Sequence, residues 1–207
     1  HSISGYAELL KNGMVKSGDV KPVATKIYDE AQRMVRLVED IINLSHLDEG
    51  AEDMIKEEVD LYDIVSSTIE SLSPEAEAAG VTVSFSGQHV AVNGISQLLS
   101  GIVYNLCDNA IKYNRQGGSV SVSLSSEEKD AVLTVSDTGI GIPTEHQQRI
   151  FERFYRVDKS HSKEVGGTGL GLSIVKHAAK IHDAKIKLSS VPDQGTEITV
   201  ILPKSLS

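Results

Sequence analysis

Ala131-Val132-Leu133-Thr134-Val135-Ser136-Asp137-Thr138-Gly139-Ile140-Gly141-Ile142 joins an apolar run to a carboxylate and two glycines set one residue apart. The first six residues read as a strand, and the Asp-Thr-Gly-Ile-Gly that follows ends it. A strand closing on a carboxylate beside glycines offers a fixed hydrogen-bond acceptor next to backbone bare enough for a ligand to approach. Alone, the pattern describes a tight turn equally well. Two further pieces favour a site: an asparagine-bearing helix upstream, and the glycine cluster Gly166-Gly167-Thr168-Gly169-Leu170-Gly171-Leu172 downstream.

The composition bounds what such a site can serve. With 207 residues, 40% hydrophobic and 24% charged, the chain reads as soluble, globular and long enough for one large or two small domains. A formal net charge of −9 argues against a nucleic-acid binder, which needs a basic face to replace phosphate counterions. The single cysteine, Cys107, falls in a helical apolar pattern and reads as core; no disulfide or thiolate metal site is available. No apolar run approaches the length of a membrane span, and His1 in place of an initiator Met reads as a trimmed segment of a longer protein.

Outward from the glycine-rich turns, the chain divides in two. Residues 1–49 carry helical periodicity. Ser2 to Val15 forms a short helix with Ile3, Tyr6, Leu9 and Leu10, and Lys16-Ser17-Gly18 turns into a long helix capped by Asp19. Val20, Ala24, Ile27, Ala31, Met34, Val38 and Ile41 follow the steps of a coiled-coil seam, widened by Val35, Leu37 and Ile42. So wide an apolar surface predicts that two chains pair their hairpins into a four-helix bundle; the alternative is packing on the chain's own second domain. Residues 50–55, in an acidic, Gly-containing break, read as a linker.

Residues 56–207 read as mixed α/β: a helix from Leu61 to about Ala79, a strand Val81 to Phe85, a helix from Ile95 to Asn114, and a hairpin of strands 119–124 and 131–136. A short helix near Thr144 to Ile150, a helix from Gly169 to about His182 and two final strands complete it. The expected fold class is α+β, a helical hairpin followed by a sandwich of one mixed sheet and one helix layer.

Asn105 and Asn109 are four apart and Lys112 three further, so all three lie on one helix face, opposite Leu99, Ile102, Val103, Leu106 and Ala110. Two carboxamides and an ammonium can hold a hydrated Mg²⁺ and meet phosphate oxygens; the bland reading is a solvated polar face. Gly166 to Gly171 opens into an apolar helix, which puts bare N–H groups and a positive helix end where phosphates can lie. Neither a Walker loop nor a Rossmann fingerprint fits its spacing. Between the two glycine loops, Phe151-Glu152-Arg153-Phe154-Tyr155-Arg156 reads as a lid anchored by Phe151 and Phe154, with Arg156 near the phosphates. The histidines, His177 and His182 among them, show no ligand spacing and read as surface residues.

In order and spacing, these segments resemble the asparagine, first glycine, phenylalanine and second glycine boxes of sensor histidine kinases of two-component systems. The asparagine box is Asn105-Leu-Cys-Asp-Asn109-Ala-Ile-Lys112-Tyr113, and Gly195-Thr196 resembles the family's last element. The resemblance implies an ATP-dependent protein-histidine kinase using Mg²⁺. Asp137 would bond the adenine amino group, Thr196 would support that edge and Tyr113 would pack by the base. Asn105 and Asn109 would serve Mg²⁺, Lys112 and Arg156 the phosphates, and Gly169 and Gly171 the triphosphate. Gly139, Gly141, Ile142, Phe154, Gly167, Thr168, Leu170 and Leu172 complete the implied nucleotide set. The catalytic set is Asn105, Lys112 and Arg156.

The hairpin is similar to the family's dimerisation and phosphoacceptor domain, especially in sensors of the phosphate-regulon type. That implies a homodimer, a response-regulator partner, and a cytoplasmic portion of a membrane-anchored bacterial sensor. His1, followed by Ser2-Ile3, does not match the acceptor box, so the acceptor is expected upstream. Related ATPases resembling chaperones and topoisomerases need a general base, generally Glu, where this chain has Asn105, and an amide cannot take that proton. A non-catalytic nucleotide-binding dimerisation module is the remaining alternative.

Overall fold

In the computed structural model, residues 2–48, 55–157 and 167–204 are described. Helices α1 (Ser2–Lys11) and α2 (Val20–Asp48) pack as the expected hairpin. α1 ends short of Val15 because Gly13 turns left-handed at φ 64°, letting Met14 N–H reach the Leu9 carbonyl at 3.0 Å. Asp19 is not a free-standing cap. It closes a 3-10 turn, Ser17–Asp19, that runs straight into α2. Within the hairpin no side chain whose burial is described is fully buried; Tyr6, Leu10, Val23 and Ile27 are half-buried, while Met34 and Val38 of the predicted seam, and Val35 beside it, are exposed. The linker residues 50–54 and His1 lie outside the described residues.

The second unit contains β1 (Glu57–Asp60), α3 (Leu61–Ala79), β2 (Thr82–Gly87), β3 (Ala91–Gly94), α4 (Ser96–Lys112), β4 (Ser119–Ser126), β5 (Asp130–Asp137), α5 (Thr144–Gln147), α6 (Gly171–Ile181), β6 (Lys185–Val191) and β7 (Gly195–Pro203). Five strands form one sheet in the order β2-β4-β5-β7-β6; β2 and β4 run parallel and the other pairs antiparallel. α3, α4 and α6 cover one face, as a single helix layer requires. The sheet face they cover follows from alternation: Val120, Val122 and Leu124 of β4, Ala131, Leu133 and Val135 of β5, and Ile198, Val200 and Leu202 of β7 are all buried. The opposite face carries Ser121, Ser123, Thr134, Ser136 and Thr199 beside the Val132–Ile201 pair, and the Thr134 and Thr199 hydroxyls meet at 3.1 Å across neighbouring strands.

α3 is capped at both ends by residues its sequence supplies. Asp60 accepts the Tyr62 N–H at 2.9 Å, and Gly80 at φ 66° donates back to Ala76 and Glu77. Cys107 is fully buried on the core face of α4, and desolvation pushes its thiol up to about 12, so the core reading of that residue holds. Two strands, β1 and β3, were not expected; they pair antiparallel and bury Val59 and Val92. His182 is not at the surface: it is 5% exposed, because its ring fills the space beside Gly94 and Leu99 where β3 turns into α4.

Candidate functional site

The site begins with strand parity. Asp137 shares the alternation of Ala131, Leu133 and Val135, so it stands at the end of an inward-facing row. One step beyond the Ser136–Glu197 pair of the β5/β7 ladder lies Thr196, and Thr196 is the cross-strand partner of Ser190. Three polar residues thus form a row across the helix-covered end of β5, β7 and β6. Asp137 Oδ1 accepts the N–H groups of Gly139 at 2.8 Å and Thr196 at 3.2 Å, and Oδ2 bonds nothing among the described residues. Burial pushes this carboxyl above the usual range, against the lowering effect of those two N–H bonds.

Ser190 joins the row to the glycine loop. Its Oγ accepts the Ile142 N–H at 2.8 Å and donates to the Gly195 carbonyl at 3.0 Å. With its one proton so used, the 2.8 Å contact to Thr196 Oγ1 is donated by Thr196, whose oxygen keeps acceptor capacity toward the site. Gln147 Nε2 adds bonds to the carbonyls of Ile142 and Ser190, both at 2.9 Å. Sequence reading did not single out Ser190 or Gln147; the signal available for Ser190 was its shared parity with Ile186 and Leu188.

The first glycines serve a different end from the one expected. A side chain at Gly139 would strike the Tyr113 carbonyl, and one at Gly141, with φ 66°, the Val191 carbonyl. Their bareness lets the loop lie against the end of α4 and the β6/β7 turn. Ile140 N–H donates to the Tyr113 carbonyl at 3.1 Å, so the Asp137 loop and α4 are one assembly.

On α4, Asn105 Nδ2 donates to the Gly101 carbonyl at 2.8 Å, which orients the amide and turns its oxygen toward α6: Oδ1 lies 2.6 Å from the Cβ position of Gly171. The half-buried Asn109 carboxamide makes no hydrogen bond among the described residues. Lys112 is paired with Asp108 at 2.6 Å, and Asp108, at 15% side-chain exposure, is sheltered, not solvent-facing. Tyr113 is half-buried; burial pushes its phenol up, Arg156 pulls it down and Asp108 pushes it up, which puts the three groups in one neighbourhood. Gly167 belongs there too, its Cβ position 3.3 Å from the Tyr113 hydroxyl and 4.0 Å from Arg156 Nη2.

α6 starts at Gly171, two residues later than expected. Gly169 takes φ 76° and packs on the Phe154 backbone, its carbonyl accepting Phe154 N–H at 2.9 Å, so it belongs to the turn before the helix. Thr168 Oγ1 accepts the Leu170 N–H at 3.3 Å, and among the described residues no side-chain cap bonds the first turn of α6. Leu170 and Leu172 both put their side chains into hydrophobic clusters, leaving only their backbone for a ligand. Phe154 is not the buried anchor expected of it: it is 59% exposed with φ 62°, and its backbone does the anchoring. Gly166 and residues 158–165 lie outside the described residues. Two carboxamide oxygens without hydrogen bonds, an uncapped helix start and an unclaimed Asp137 oxygen form a donor and acceptor set that suits a cation, phosphates and an amino group respectively.

Residues 94–206 match the family model described as histidine kinase-, DNA gyrase B- and HSP90-like ATPase, and residues 1–50 match the His Kinase A (phospho-acceptor) domain. The chain is 38% identical over 205 residues to the sensor-like histidine kinase SenX3 of Mycobacterium tuberculosis, an alignment covering 96% of this chain and 50% of that protein. It thus spans about half the length of such curated relatives. The mycobacterial sensor histidine kinase MprB superposes with a TM-score of 0.64 at 29% identity over 72% of this chain and 97% of that one. Histidine kinase ThkA, solved in complex with the response regulator protein TrrA, shares the fold at a TM-score of 0.75 and 19% identity, over 98% of this chain and 57% of that one. With the ATPase model covering more than half of its residues and the phospho-acceptor model the hairpin, the chain belongs to the two-component sensor histidine kinases of the histidine kinase, gyrase B and HSP90-like ATPase family.

Proposed function

We propose that this chain is the catalytic core of an ATP-dependent protein-histidine kinase that passes the γ-phosphoryl of ATP to a histidine and then to an aspartate of a response-regulator receiver domain. The observation that carries this reading is Asp137, whose second oxygen is left unclaimed at the end of an inward row. It accepts the adenine amino group, Thr196 supports the same edge and the Tyr113 ring packs by the base. The uncapped first turn of α6, from Gly171, receives phosphate oxygens on its N–H groups, and Lys112 and Arg156 supply positive charge beside them. Asn105 and Asn109 would hold Mg²⁺, which neutralises charge developing on the β- and γ-phosphates when bound.

In the transfer, the bond from phosphorus to the β–γ bridging oxygen breaks, a phosphorus–nitrogen bond to the histidine forms, and ADP leaves. Catalysis is positioning and charge neutralisation. An amide at 105 cannot take a proton from water, which favours transfer over hydrolysis.

The 1–49 hairpin serves as the dimerisation unit, 50–55 as linker and 56–207 as the catalytic domain. His1, followed by Ser2-Ile3, does not fit the family's acceptor box and is not assigned as the acceptor. The exposed Met34, Val35 and Val38 support pairing with a second copy. The relatives' greater length supports a cytoplasmic core within a longer, membrane-anchored sensor; no described helix is long and apolar enough to cross a membrane.

The test uses γ-labelled ATP with Mg²⁺. The chain is expected to bind nucleotide, to take up no label itself, and to label a histidine on an added acceptor-helix peptide dimer from a related kinase. Labelling of His1 would displace the acceptor assignment. Steady hydrolysis that ignores the peptide would move the chain to the ATPase side of its family.

A further inference from the structure

α4 and α6 lie antiparallel and pack along an apolar interface, Leu98 against Leu170 and Ile174 among others, with a polar contact at each end. At one, Asn105 Oδ1 faces Gly171, where α6 starts. At the other, the His182 ring, just past the end of α6, meets the start of α4: the Ile95 N–H donates to Nε2 at 2.9 Å, and Nδ1 lies 2.7 Å from the Ala178 carbonyl. A carbonyl only accepts and an amide N–H only donates, so both bonds are satisfied by one form alone, the neutral imidazole with its proton on Nδ1. Ile95 is the N-cap of α4 and has no side-chain cap, so His182 supplies a cap from 87 residues away. The contact is tight: a Cβ at Gly94 would sit 2.9 Å from the ring. The two points are roughly 15 Å apart along each helix, at ~1.5 Å per residue.

We infer that His182 is a positioning residue for nucleotide binding: its neutral ring sets the start of α4 against the end of α6, and so sets the asparagines of one helix against the phosphate-facing start of the other. The inference rests on the assignment of those two helices to the nucleotide site. It carries a pH dependence. Protonated His182 has no lone pair for Ile95 and turns an N–H against an N–H. Burial holds the imidazole below its ordinary value; the Ala178 bond raises it, Lys56 lowers it and Asp183 raises it. Lys56, from the approach to β1, also donates to the Ile181 carbonyl at 2.9 Å, and Glu58 and Lys204 line the same cleft from β1 and the end of β7. Because the folded-state value is depressed, the staple is complete above the unfolded value of about 6.5 and is lost as pH falls through the folded one.

The experiment compares wild type, His182→Gln and His182→Phe as whole 207-residue chains, with Mg-ATP titrated calorimetrically and the imidazole ¹⁵N shifts recorded. Glutamine can offer an oxygen to Ile95 but cannot take a proton, so it is expected to bind nucleotide like wild type near neutrality. Wild type should lose at least ~5-fold more affinity than His182→Gln between about pH 8 and about pH 5. Asp137 titrates in both chains, and the ratio cancels it. His182→Phe, which fills the space without the bond, should weaken binding by ~10-fold near pH 8, about the effect of one lost hydrogen bond.

Identical pH profiles for wild type and His182→Gln, or an Nε2-protonated ring, would overturn the inference. If His182→Phe does not fold, the glutamine comparison decides. Absence of nucleotide binding by wild type at every pH would instead overturn the functional reading and take this inference with it.

Discussion

At position 137 a carboxylate sits at the end of an inward row with one oxygen held by two N–H groups and the other unclaimed. Burial raises this carboxyl, so in the nucleotide-free protein its charge is a cost: its favourable contribution is complete below the unfolded value and lost as pH rises through the folded one. Asp137→Asn keeps an oxygen for Gly139 and Thr196 but removes the charge. The variant is expected to melt no lower than wild type near neutrality, and to bind ATP more weakly by roughly 1.5–3 kcal/mol, the usual worth of a hydrogen bond to a charged group. Thermal melts and calorimetric titration check the two halves separately; unchanged affinity would take Asp137 out of the site.

Asp137 stood out because an apolar strand closing on a carboxylate and two glycines is a local signal, as is the shared face of Asn105, Asn109 and Lys112. Ser190 and His182 did not. Their partners, Ile142 and Ile95, lie 48 and 87 residues away, and nothing in the neighbouring sequence marks a residue whose role is set by a contact that distant.

Among the elements, one hydroxyl carries three of the bonds at the joint between the Asp137 loop and the β6/β7 turn, beside the Gln147 bridge and the Asp193 N–H donated to the Ile140 carbonyl at 2.8 Å. Ser190→Ala removes bonds to Ile142, Gly195 and Thr196 together and leaves the Ile142 N–H without its acceptor. A cost of about 1–3 kcal/mol follows, seen as a melting point lower by roughly 2–10 °C, with weaker ATP binding because Asp137 is carried on the loosened loop. A variant that melts with wild type would show the joint to be redundant.

The core helices and the β4–β5 hairpin were readable from their periodicities. β1 and β3 were not, because each is four residues long and contributes little inward surface, Val59 from one and Val92 from the other, too little for a pattern to show. The glycine loops were found for a reason that proved incomplete: what needs Gly139 and Gly141 is the approach of two other backbone segments.

At the scale of the whole molecule, α2 presents two kinds of apolar surface. Leu37 packs on Leu170 and Ile174 beside the start of α6, while Met34 and Val38 remain 55% and 52% exposed. Pairing with a second copy would cover the exposed side chains, at about 1.5–3 kcal/mol for each one fully buried. The double variant Met34→Glu, Val38→Glu is therefore expected to leave the helical signal of the single chain intact and to shift sedimentation from dimer to monomer, a dissociation constant raised at least ~10-fold. A dimer that survives both charges would place the interface elsewhere.

The one thiol in the chain, Cys107, is sealed in the core between the two asparagines of α4 and raised to about 12. Oxidants and alkylating reagents need a reachable thiolate, and the folded protein offers them none. The helix that presents Asn105 and Asn109 is thereby indifferent to redox conditions. Modification of Cys107 keeps time with the opening of the catalytic domain, so the protein carries its own unfolding clock at the centre of its nucleotide helix.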